Sequence, residues 1–303
     1  MKSNDATQLA RLCAGRVGSL IDGKYRLDAF LGAGATGAVY RASNVWAARE
    51  CAVKVFHHEG ENCETALQRF VREAQIANRV RVGNKVHPNV VDCLDVGRDR
   101  DSGRYFTVQE FLRGDTLDAY LQSLPEHRMS AVEACALIRP VIDAVACAHE
   151  AGVVHRDLKP ENIFLVEAEG GGRAVAKVLD FGTAQLSDAR LTASTDILGT
   201  PAYMSPESFM NARNGDARTD VWAFGVILYE MVSGVPPFGV GAQTLYAIMV
   251  EIASKDPVSL KSNGMARAVE WAVIRRCLER DLSARYSDAR ALQVALDEAF
   301  TAA

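Results

Sequence analysis

Eight consecutive residues, His155-Arg156-Asp157-Leu158-Lys159-Pro160-Glu161-Asn162, constrain this chain of 303 residues more than any other stretch. They place two carboxylates, two cations and one carboxamide close together along the chain. Pro160 lacks a backbone N–H and disfavours helical geometry at the residue before it. The stretch is therefore predicted to form a loop that gathers several reactive side chains.

The residue types in this loop suit the transfer of a phosphoryl group to a hydroxyl. Asp157 could orient the hydroxyl and accept its proton, while Lys159 could balance charge on the moving phosphoryl group. Asn162 could offer its amide oxygen to a Mg2+ ion. A basic surface loop with a proline turn is the alternative, and any one of these residues alone would favour it.

The full spacing H-R-D-x-x-x-x-N resembles the catalytic loop of eukaryotic-like, or Hanks-type, serine/threonine protein kinases. The resemblance implies that Asp157 and Lys159 are catalytic and that Asn162 binds a metal ion. Lysine at position 159 is typical of the serine/threonine branch of that family. Glu161 could attract a basic substrate residue, although a solvated carboxylate is the simpler interpretation.

Composition allows a large globular fold and disfavours several other classes. Hydrophobic residues make up 49% of the chain, and the net charge of −4 is atypical of nucleic-acid binders. The longest apolar stretch, residues 221–232, is too short to span a bilayer, and residues 1–5 lack a signal-peptide core. Seven cysteines without a metal-binding spacing indicate reduced thiols. We therefore expect a cytoplasmic protein without a membrane span and without a nucleic-acid partner.

The N-terminal part has a glycine-rich turn between two segments that alternate as strands do. Residues 1–23 precede it as a leader, for which a cap on the first lobe and a frayed tail stay open. A dinucleotide-binding turn would open a helix, whereas here β-forming residues follow, as in protein kinases; a simple hairpin turn is the alternative. The resemblance implies nucleotide contacts at Leu31, Gly32, Ala33, Gly34, Ala35, Thr36, Gly37, Ala38 and Val39.

Lys54 is the one charge in the next apolar strand. The resemblance implies that Lys54 holds the ATP phosphates and that Ala52 contacts the nucleotide. Residues 63–80 have the apolar spacing of a helix, which corresponds to the helix αC of the family. Within it Glu73 is the predicted partner of Lys54, with Glu64 as the second choice and a solvated Glu73 as the alternative.

Two further predicted strands lead into a segment that resembles the hinge of the family. The resemblance implies that Gln109 is the gatekeeper and that backbone groups of Glu110 and Leu112 pair with adenine. Asp115, in the turn that follows, is the predicted ribose contact.

After this segment the pattern becomes helical. Ser130 followed by Glu133 is a capping box, which predicts a helix start, and Pro140 is expected to kink that helix. Ser287 is the predicted N-cap of the last helix. Helices are predicted over residues 117–124, 130–151, 220–233, 241–252, 265–279 and 287–300.

Asp180-Phe181-Gly182 follows a hairpin predicted over residues 163–166 and 174–179. The resemblance implies that Asp180 is the second metal ligand. Farther on, Ser205-Pro206-Glu207 stands where the family has A-P-E, a substitution common among bacterial members. The resemblance also implies that Thr200 hydrogen-bonds the catalytic aspartate and lysine.

The same resemblance implies structural roles for four residues. Asp220 would brace the backbone of the catalytic loop, and Arg285 would pair with Glu207. Arg156 would supply a cationic partner to a phosphate on the activation segment. The candidates for autophosphorylation in that segment are Thr192, Ser194 and Thr195.

Together the motifs predict an α+β, two-lobed protein-kinase fold. A leader (1–23) precedes a small β-rich N-lobe with helix αC (24–112), a larger, mainly helical C-lobe (113–300) and a tail (301–303). The predicted function is transfer of the γ-phosphoryl group of ATP to Ser or Thr of protein substrates, with Mg2+ or alternatively Mn2+. A pseudokinase scaffold that binds nucleotide without transfer is the main alternative, and a small-molecule phosphotransferase is another. Pairing of kinase domains into a dimer stays open.

Overall fold

The computed structural model describes residues 11–33, 37–56, 67–68, 70–71, 74–76, 78–167, 175–181, 200–210, 215–242 and 244–301. The chain divides into two compact units, Met1–Arg79 with Val91–Arg113 and Val80–Val90 with Gly114–Ala303. The first is built on a β-sheet and the second mainly on helices, which confirms the predicted α+β class.

The described strands are β1 Leu20–Ile21, β2 Tyr25–Ala33, β3 Gly37–Asn44, β4 Arg49–Phe56, β5 Arg81–Val82, β6 Lys85–Val86, β7 Cys93–Arg98, β8 Tyr105–Glu110, β9 Gly114–Thr116, β10 Ile163–Val166 and β11 Val175–Val178. The described helices with defined bounds are α1 Leu117–Ser123, α2 Ala131–Glu150, α3 Pro206–Met210, α4 Ala217–Ser233, α5 Leu245–Ser254, α6 Ala268–Cys277 and α7 Ala289–Thr301.

The first unit is built on a six-stranded sheet with the strand order β1-β2-β3-β4-β8-β7. Side chains alternate between the two faces of a strand, so one face collects the apolar residues. That face forms the core of the unit, which consists of Cys13, Ile21, Tyr25, Leu27, Ala38, Tyr40, Ala42, Cys51, Val53, Val55, Phe106 and Val108. The same alternation places Ala52 and Lys54 together on the opposite face of β4.

The described part of the leader packs against this core. Cys13 is only 4% exposed, and the hydroxyl of Tyr40 donates a hydrogen bond to its carbonyl oxygen at 2.9 Å. Ile21 lies in β1 and pairs with Tyr25 of β2. Of the two interpretations of the leader, the cap therefore holds for residues 11–21, and residues 1–10 lie outside the described part.

Two long helices, α2 and α4, form the centre of the second unit. Most residues of α4 are buried, which explains why its sequence is apolar on nearly every side. The predicted capping box of α2 is confirmed: Ser130 Oγ accepts from Glu133 N at 3.2 Å, and Glu133 Oε2 accepts from Ser130 N at 3.0 Å. Helix α2 continues through Pro140, which lies inside it.

Three helices of the second unit begin later than the sequence pattern predicted, because polar side chains cap them further along. Thr244 caps α5 by accepting from Ala247 N at 3.1 Å. Arg267 N donates to the carboxylate of Glu270 at 2.7 Å, which fixes the start of α6. The prediction that Ser287 caps the last helix was wrong, since Asp288 accepts from Ala291 N at 2.9 Å and α7 begins at Ala289.

The second unit also has a small antiparallel sheet of order β11-β10-β9. The two predicted metal ligands lie next to its strands. The predicted hairpin is confirmed as β10 and β11, with Ile163 opposite Val178. Asn162 immediately precedes β10, and Asp180 lies two residues beyond β11. Among the described helices, none has an apolar stretch long enough to cross a membrane.

Candidate active site

The backbone of the loop that begins at His155 is held by one buried carboxylate. Asp220, in the first turn of α4, accepts from His155 N and from Arg156 N, both at 2.8 Å. Burial alone would raise the pKa of Asp220, but hydrogen bonds from His149 and from this backbone hold it below its ordinary value. Arg156 has a φ of 66°, a left-handed conformation that is rare outside glycine and that the two bonds help to maintain.

His155 connects this loop to the segment after β11. Its Nδ1 atom accepts from Asp157 N at 3.3 Å, so in the neutral ring the proton resides on Nε2. Nε2 then donates to the carbonyl of Leu179 at 3.0 Å, and the ring lies 4.8 Å from that of Phe181. These contacts place Asp180 next to the loop.

The carboxylate of Asp157 is surrounded by donors from its own loop. Lys159 Nζ lies 3.3 and 3.2 Å from its two oxygens, and Asn162 Nδ2 donates to Oδ2 at 3.1 Å. The side chain of Asp157 keeps 21% of its surface exposed. A carboxylate fixed in this way and still open to solvent can accept a hydrogen bond from an incoming hydroxyl.

The amide of Asn162 is oriented as a metal ligand would require. Its Nδ2 atom donates to the carbonyl of Asp157 at 2.7 Å as well as to the carboxylate, so Oδ1, which accepts from no donor among the described residues, is the atom that could bind a cation. Leu179 N donates to the carbonyl of Asn162 at 2.9 Å and keeps Asp180 nearby. Carboxylate and amide oxygens are ligands that Mg2+ prefers.

Within the described residues, no group of three or more His, Cys, Asp or Glu side chains could hold a metal ion. Asp180 and Asn162 alone would leave a divalent cation with most of its positions open. Mg2+ commonly binds in this way, through one or two protein oxygens together with water and substrate phosphates. The residues present therefore fit a metal that arrives with a phosphorylated ligand.

In the first unit, the face of the sheet opposite the core carries Val39, Ala52 and Lys54 of the predicted nucleotide contacts, whereas the side chain of Ala38, also predicted as a contact, is buried in the core because it points to the other face of β3. Lys54 is only 8% exposed and lies opposite Val39 of β3 and Thr107 of β8. Ala52 lies opposite Gln109 of β8 on the same face. The predicted partners of Lys54, Glu73 and Glu64, lie outside the described residues.

The glycine-rich segment divides between two strands. Residues 31–33 belong to β2 and residues 37–39 to β3, while Gly34, Ala35 and Thr36 lie outside the described part. A Cβ atom on Gly37 would lie 2.6 Å from the carbonyl oxygen of Val55, so only glycine fits. Leu31 is 54% exposed and offers apolar surface at the end of the sheet, where a flat base could pack.

The predicted hinge residues and the predicted ribose contact do not all lie in the same unit. The N–H of Glu110 donates to the carbonyl of Asp92 at 3.0 Å, and its carboxylate accepts from Asp92 N at 2.9 Å. A nucleotide contact at Glu110 would therefore use its carbonyl. Leu112 follows in the first unit, whereas Asp115 is an exposed residue of β9 in the second.

Glu207 and Arg285, far apart in sequence, meet in a bidentate ion pair. The guanidinium of Arg285 donates to both Glu207 oxygens, at 2.8 and 3.2 Å, and also to the carbonyls of Arg218 and Glu279, each at 2.9 Å. Burial alone would raise the pKa of Glu207, but Arg285 holds it below its ordinary value. The pair attaches the start of α3 to the segment before α7, and the bond to the carbonyl of Arg218 connects both to the first turn of α4.

Arg156 points its side chain toward the segment before α4. One Nη atom donates to the carbonyl of Gly215 at 3.0 Å, and Nε is buried without a hydrogen-bond partner among the described residues. The candidate phosphorylation sites Thr192, Ser194 and Thr195 lie outside the described part. Thr200 begins a short 3-10 turn, Thr200–Tyr203, and its side chain is likewise not described.

Sequence reasoning missed two features of the site. His149 donates from Nε2 to Asp220 Oδ2 at 2.9 Å, and Tyr203 donates to the carboxylate of Glu230 at 2.6 Å. Burial raises the pKa of Glu230 to about 7. Burial also raises the pKa of Glu161, one of whose oxygens has no hydrogen-bond partner within the part of the chain that the structure describes. No motif spacing pointed to His149 or to the Tyr203–Glu230 contact, since both arise from packing between distant elements.

Comparison with known proteins identifies the family. The model of the protein kinase domain matches residues 25–296, and the chain therefore belongs to the protein kinase family. This confirms the resemblance that the sequence motifs carried.

Bacterial serine/threonine kinases are among the similar proteins. Serine/threonine-protein kinase Pkn1 of Myxococcus xanthus is 36% identical over 282 residues, which cover 91% of this chain and 39% of that protein. Serine/threonine-protein kinase PrkC of Bacillus subtilis is 31% identical over 290 residues, which cover 94% of this chain and 42% of that protein. The chain thus spans less than half the length of these relatives.

Proposed function

We propose that this chain is a serine/threonine protein kinase, which transfers the γ-phosphoryl group of ATP to Ser or Thr hydroxyls of protein substrates. The observation that carries the proposal is the arrangement around Asp157. Its carboxylate is fixed by Lys159 and Asn162, and its backbone neighbours are held by Asp220. Family membership and the names of the relatives support the same reaction.

Each residue of the catalytic loop has a role that follows from its contacts. Asp157 would orient the substrate hydroxyl and accept its proton, since its carboxylate is fixed by Lys159 and Asn162 and keeps exposed surface. Lys159 would balance charge on the transferred phosphoryl group. Asn162 Oδ1 and the carboxylate of Asp180 would hold Mg2+ or Mn2+, a cation that neutralises phosphate charge when bound.

The sheet of the first unit would hold the nucleotide. Lys54 would contact phosphate oxygens, with Glu73 as its proposed partner, and Gly37 would let the backbone come close to them. Leu31, Val39 and Ala52 would contact the base. Because ATP is the phosphoryl donor, we place the reaction in the cytoplasm.

A nucleotide-binding pseudokinase is disfavoured by the residues that the chain retains. Lys54, Asp157 and Asp180 are all present, and pseudokinases usually lack one of these positions. Nothing in the comparisons favours a scaffold without transfer.

We further propose that Thr192, Ser194 or Thr195 is autophosphorylated and that the phosphate binds Arg156. The buried Nε of Arg156, which has no partner among the described residues, supports this, because a phosphate could accept from it. Phosphopeptide mapping after incubation with ATP tests the site. Dependence of the rate on protein concentration would reveal whether two kinase domains pair during the step.

The experiment that tests the function is transfer of labelled γ-phosphate from Mg-ATP to the protein itself and to a generic basic protein. We expect label on Ser or Thr with the wild type and at least about a thousandfold less with Asp157→Asn. Asp101→Asn, an exposed aspartate on the β7–β8 turn, is the matched control and should transfer normally. Nucleotide binding without transfer by the wild type, before and after phosphorylation by another kinase, would instead establish a pseudokinase.

A further inference from the structure

The chain between β8 and β9 carries part of the proposed contact with the adenine base. Strand β8 ends at Glu110 and β9 begins at Gly114, so residues 111–113 belong to no strand. Within the part of the chain that the structure describes, the backbone of Leu112 makes no hydrogen bond. Its N–H and carbonyl are therefore available to a base, but strand pairing does not fix their position.

The start of this segment is attached to its neighbours on both sides. Glu110 lies opposite Cys51 of β4. On its other side, Glu110 N donates to the carbonyl of Asp92 at 3.0 Å, and its carboxylate accepts from Asp92 N at 2.9 Å. The strand pairing and these two bonds fix Glu110, but they do not extend to Leu112.

The end of the segment is held by an ion pair. Nη2 of Arg113 donates to Oε2 of Glu50 at 2.6 Å. Glu50 lies in β4, the strand that also carries Ala52 and Lys54, the predicted contacts of the base and of the phosphates. The ion pair thus connects the residue after Leu112 directly to that strand, and all of these residues belong to the first unit.

We infer that Glu50 is a positioning residue for the nucleotide: through Arg113 it sets the place of the Leu112 backbone relative to β4. The inference rests on the proposed use of ATP and on the proposed base contact at Leu112. Glu50 belongs to none of the motifs that predicted the site. Because a displaced hydrogen-bonding group loses binding energy, the ion pair governs affinity for the base and not the transfer step.

A purely structural role is disfavoured by the exposure of the pair. The side chains of Arg113 and Glu50 are 70% and 41% exposed, and ion pairs so exposed contribute little to the free energy of unfolding. A general effect of charge on the ATP anion is the other alternative, and it predicts opposite results for the two residues. Loss of Glu50 would then strengthen the binding of ATP, whereas loss of Arg113 would weaken it.

Single and paired substitutions separate these explanations. We expect Glu50→Ala and Arg113→Ala each to raise KM for ATP by about three- to fivefold, with kcat at saturating ATP within about twofold of the wild type. The dissociation constant of adenosine, which carries no phosphate charge, should rise by the same factor. The double variant Glu50→Arg with Arg113→Glu reverses the ion pair and should return both constants to within about twofold of the wild type.

Arg26→Ala is the matched control, since it removes a partly exposed ion pair with Asp28 on β2 of the same unit and should leave both constants unchanged. Thermal unfolding of each variant reports the folded fraction. The inference would be overturned by shifts in opposite directions, by an unchanged KM in either single variant, or by a reversed pair that binds no better than the single variants. Absence of transfer by the wild type would overturn the proposed function instead, and adenosine binding would still test the inference, so the two failures are distinct.

Discussion

The two units of this protein hold their candidate functional residues by different means. In the first, Lys54 and Ala52 are positioned by the pairing of strands over an apolar core. In the second, Asp157 is positioned by buried polar groups, above all Asp220, which accepts from the catalytic-loop backbone. An apolar core depends on volume and shape, whereas a buried polar network depends on the identity of each donor and acceptor.

This difference predicts different tolerance to substitution. Apolar residues of similar volume should replace one another in the first unit with small loss. In the second unit, even an isosteric exchange can leave a donor facing a donor, and a truncation can leave a buried charge without its partner. The six-stranded sheet of the first unit should thus accept more sequences than the polar groups that hold the loop around Asp157.

The largest effect is expected for Arg285→Ala in the second unit. Arg285 is 3% exposed, and its removal leaves Glu207 and two backbone carbonyls without their donor. Breaking a buried pair in this way costs about 3–5 kcal/mol, which urea unfolding would measure. Arg275→Ala removes partly exposed ion pairs with Glu279 and Asp256 and should cost about 0–1 kcal/mol. Similar losses for both variants would show that burial does not determine how much each ion pair contributes to the free energy of unfolding.

The next effect tests the apolar core of the first unit. Leu27 in β2 is fully buried, so Leu27→Ala should lower the free energy of unfolding by about 2–4 kcal/mol. Leu27→Met keeps most of the volume and should cost less than about 1.5 kcal/mol. Denaturant titration of both variants measures this. A methionine variant as unstable as the alanine variant would contradict the tolerance assigned to the sheet.

A smaller effect, and one that depends on pH, is expected at Glu230. Burial raises its pKa from 4.5 to about 7 in the folded protein. The folded state therefore binds this proton more tightly than the unfolded chain, and the resulting stabilisation is lost as the pH rises through about 7. Glu230→Gln cannot ionise and can still accept from Tyr203.

We therefore compare the free energy of unfolding of Glu230→Gln with that of the wild type. The variant minus wild-type difference should increase by on the order of 1 kcal/mol from about pH 5 to about pH 8. Chemical unfolding at several pH values measures the difference. Glu298→Gln changes an exposed glutamate and serves as the control for the chemical exchange itself. A Glu230→Gln difference that is constant across this range would show that Glu230 does not titrate there.

Local sequence rules account for much of the fold. The capping box at Ser130 and the hairpin of β10 and β11 involve residues close together in the chain, so spacing alone predicted them. The fold class and the family followed from the order of the motifs. The cap of α7 was misplaced by one residue because Ser287 and Asp288 are both good caps. In the structure the hydroxyl of Ser287 donates to the carboxylate of Asp288, and this carboxylate accepts from Ala291 N.

The parts that could not be predicted depend on distant elements meeting. His149 is an ordinary residue near the end of a helix until α4 and α7 bring Asp220 and Ala289 to its two nitrogens. The contact of Tyr203 with Glu230 likewise joins a turn to a helix. No periodicity or spacing encodes such contacts, whereas the pairing of Glu207 with Arg285 was foreseen only through the family resemblance.

The smallest effect is expected in the first unit, where one polar contact supplements the apolar core. The hydroxyl of Tyr40 donates to the buried carbonyl of Cys13 and joins the leader to β3. Tyr40→Phe keeps the ring in the core but leaves that carbonyl unpaired, so we expect a loss of about 1 kcal/mol. Hydrogen exchange should become faster at the backbone amides of residues 11–21, while those of β4 keep their protection. Tyr105→Phe, at the partly exposed start of β8, is the control. If exchange accelerated equally across the whole sheet, the leader would be an integral part of the core and not a cap added to it.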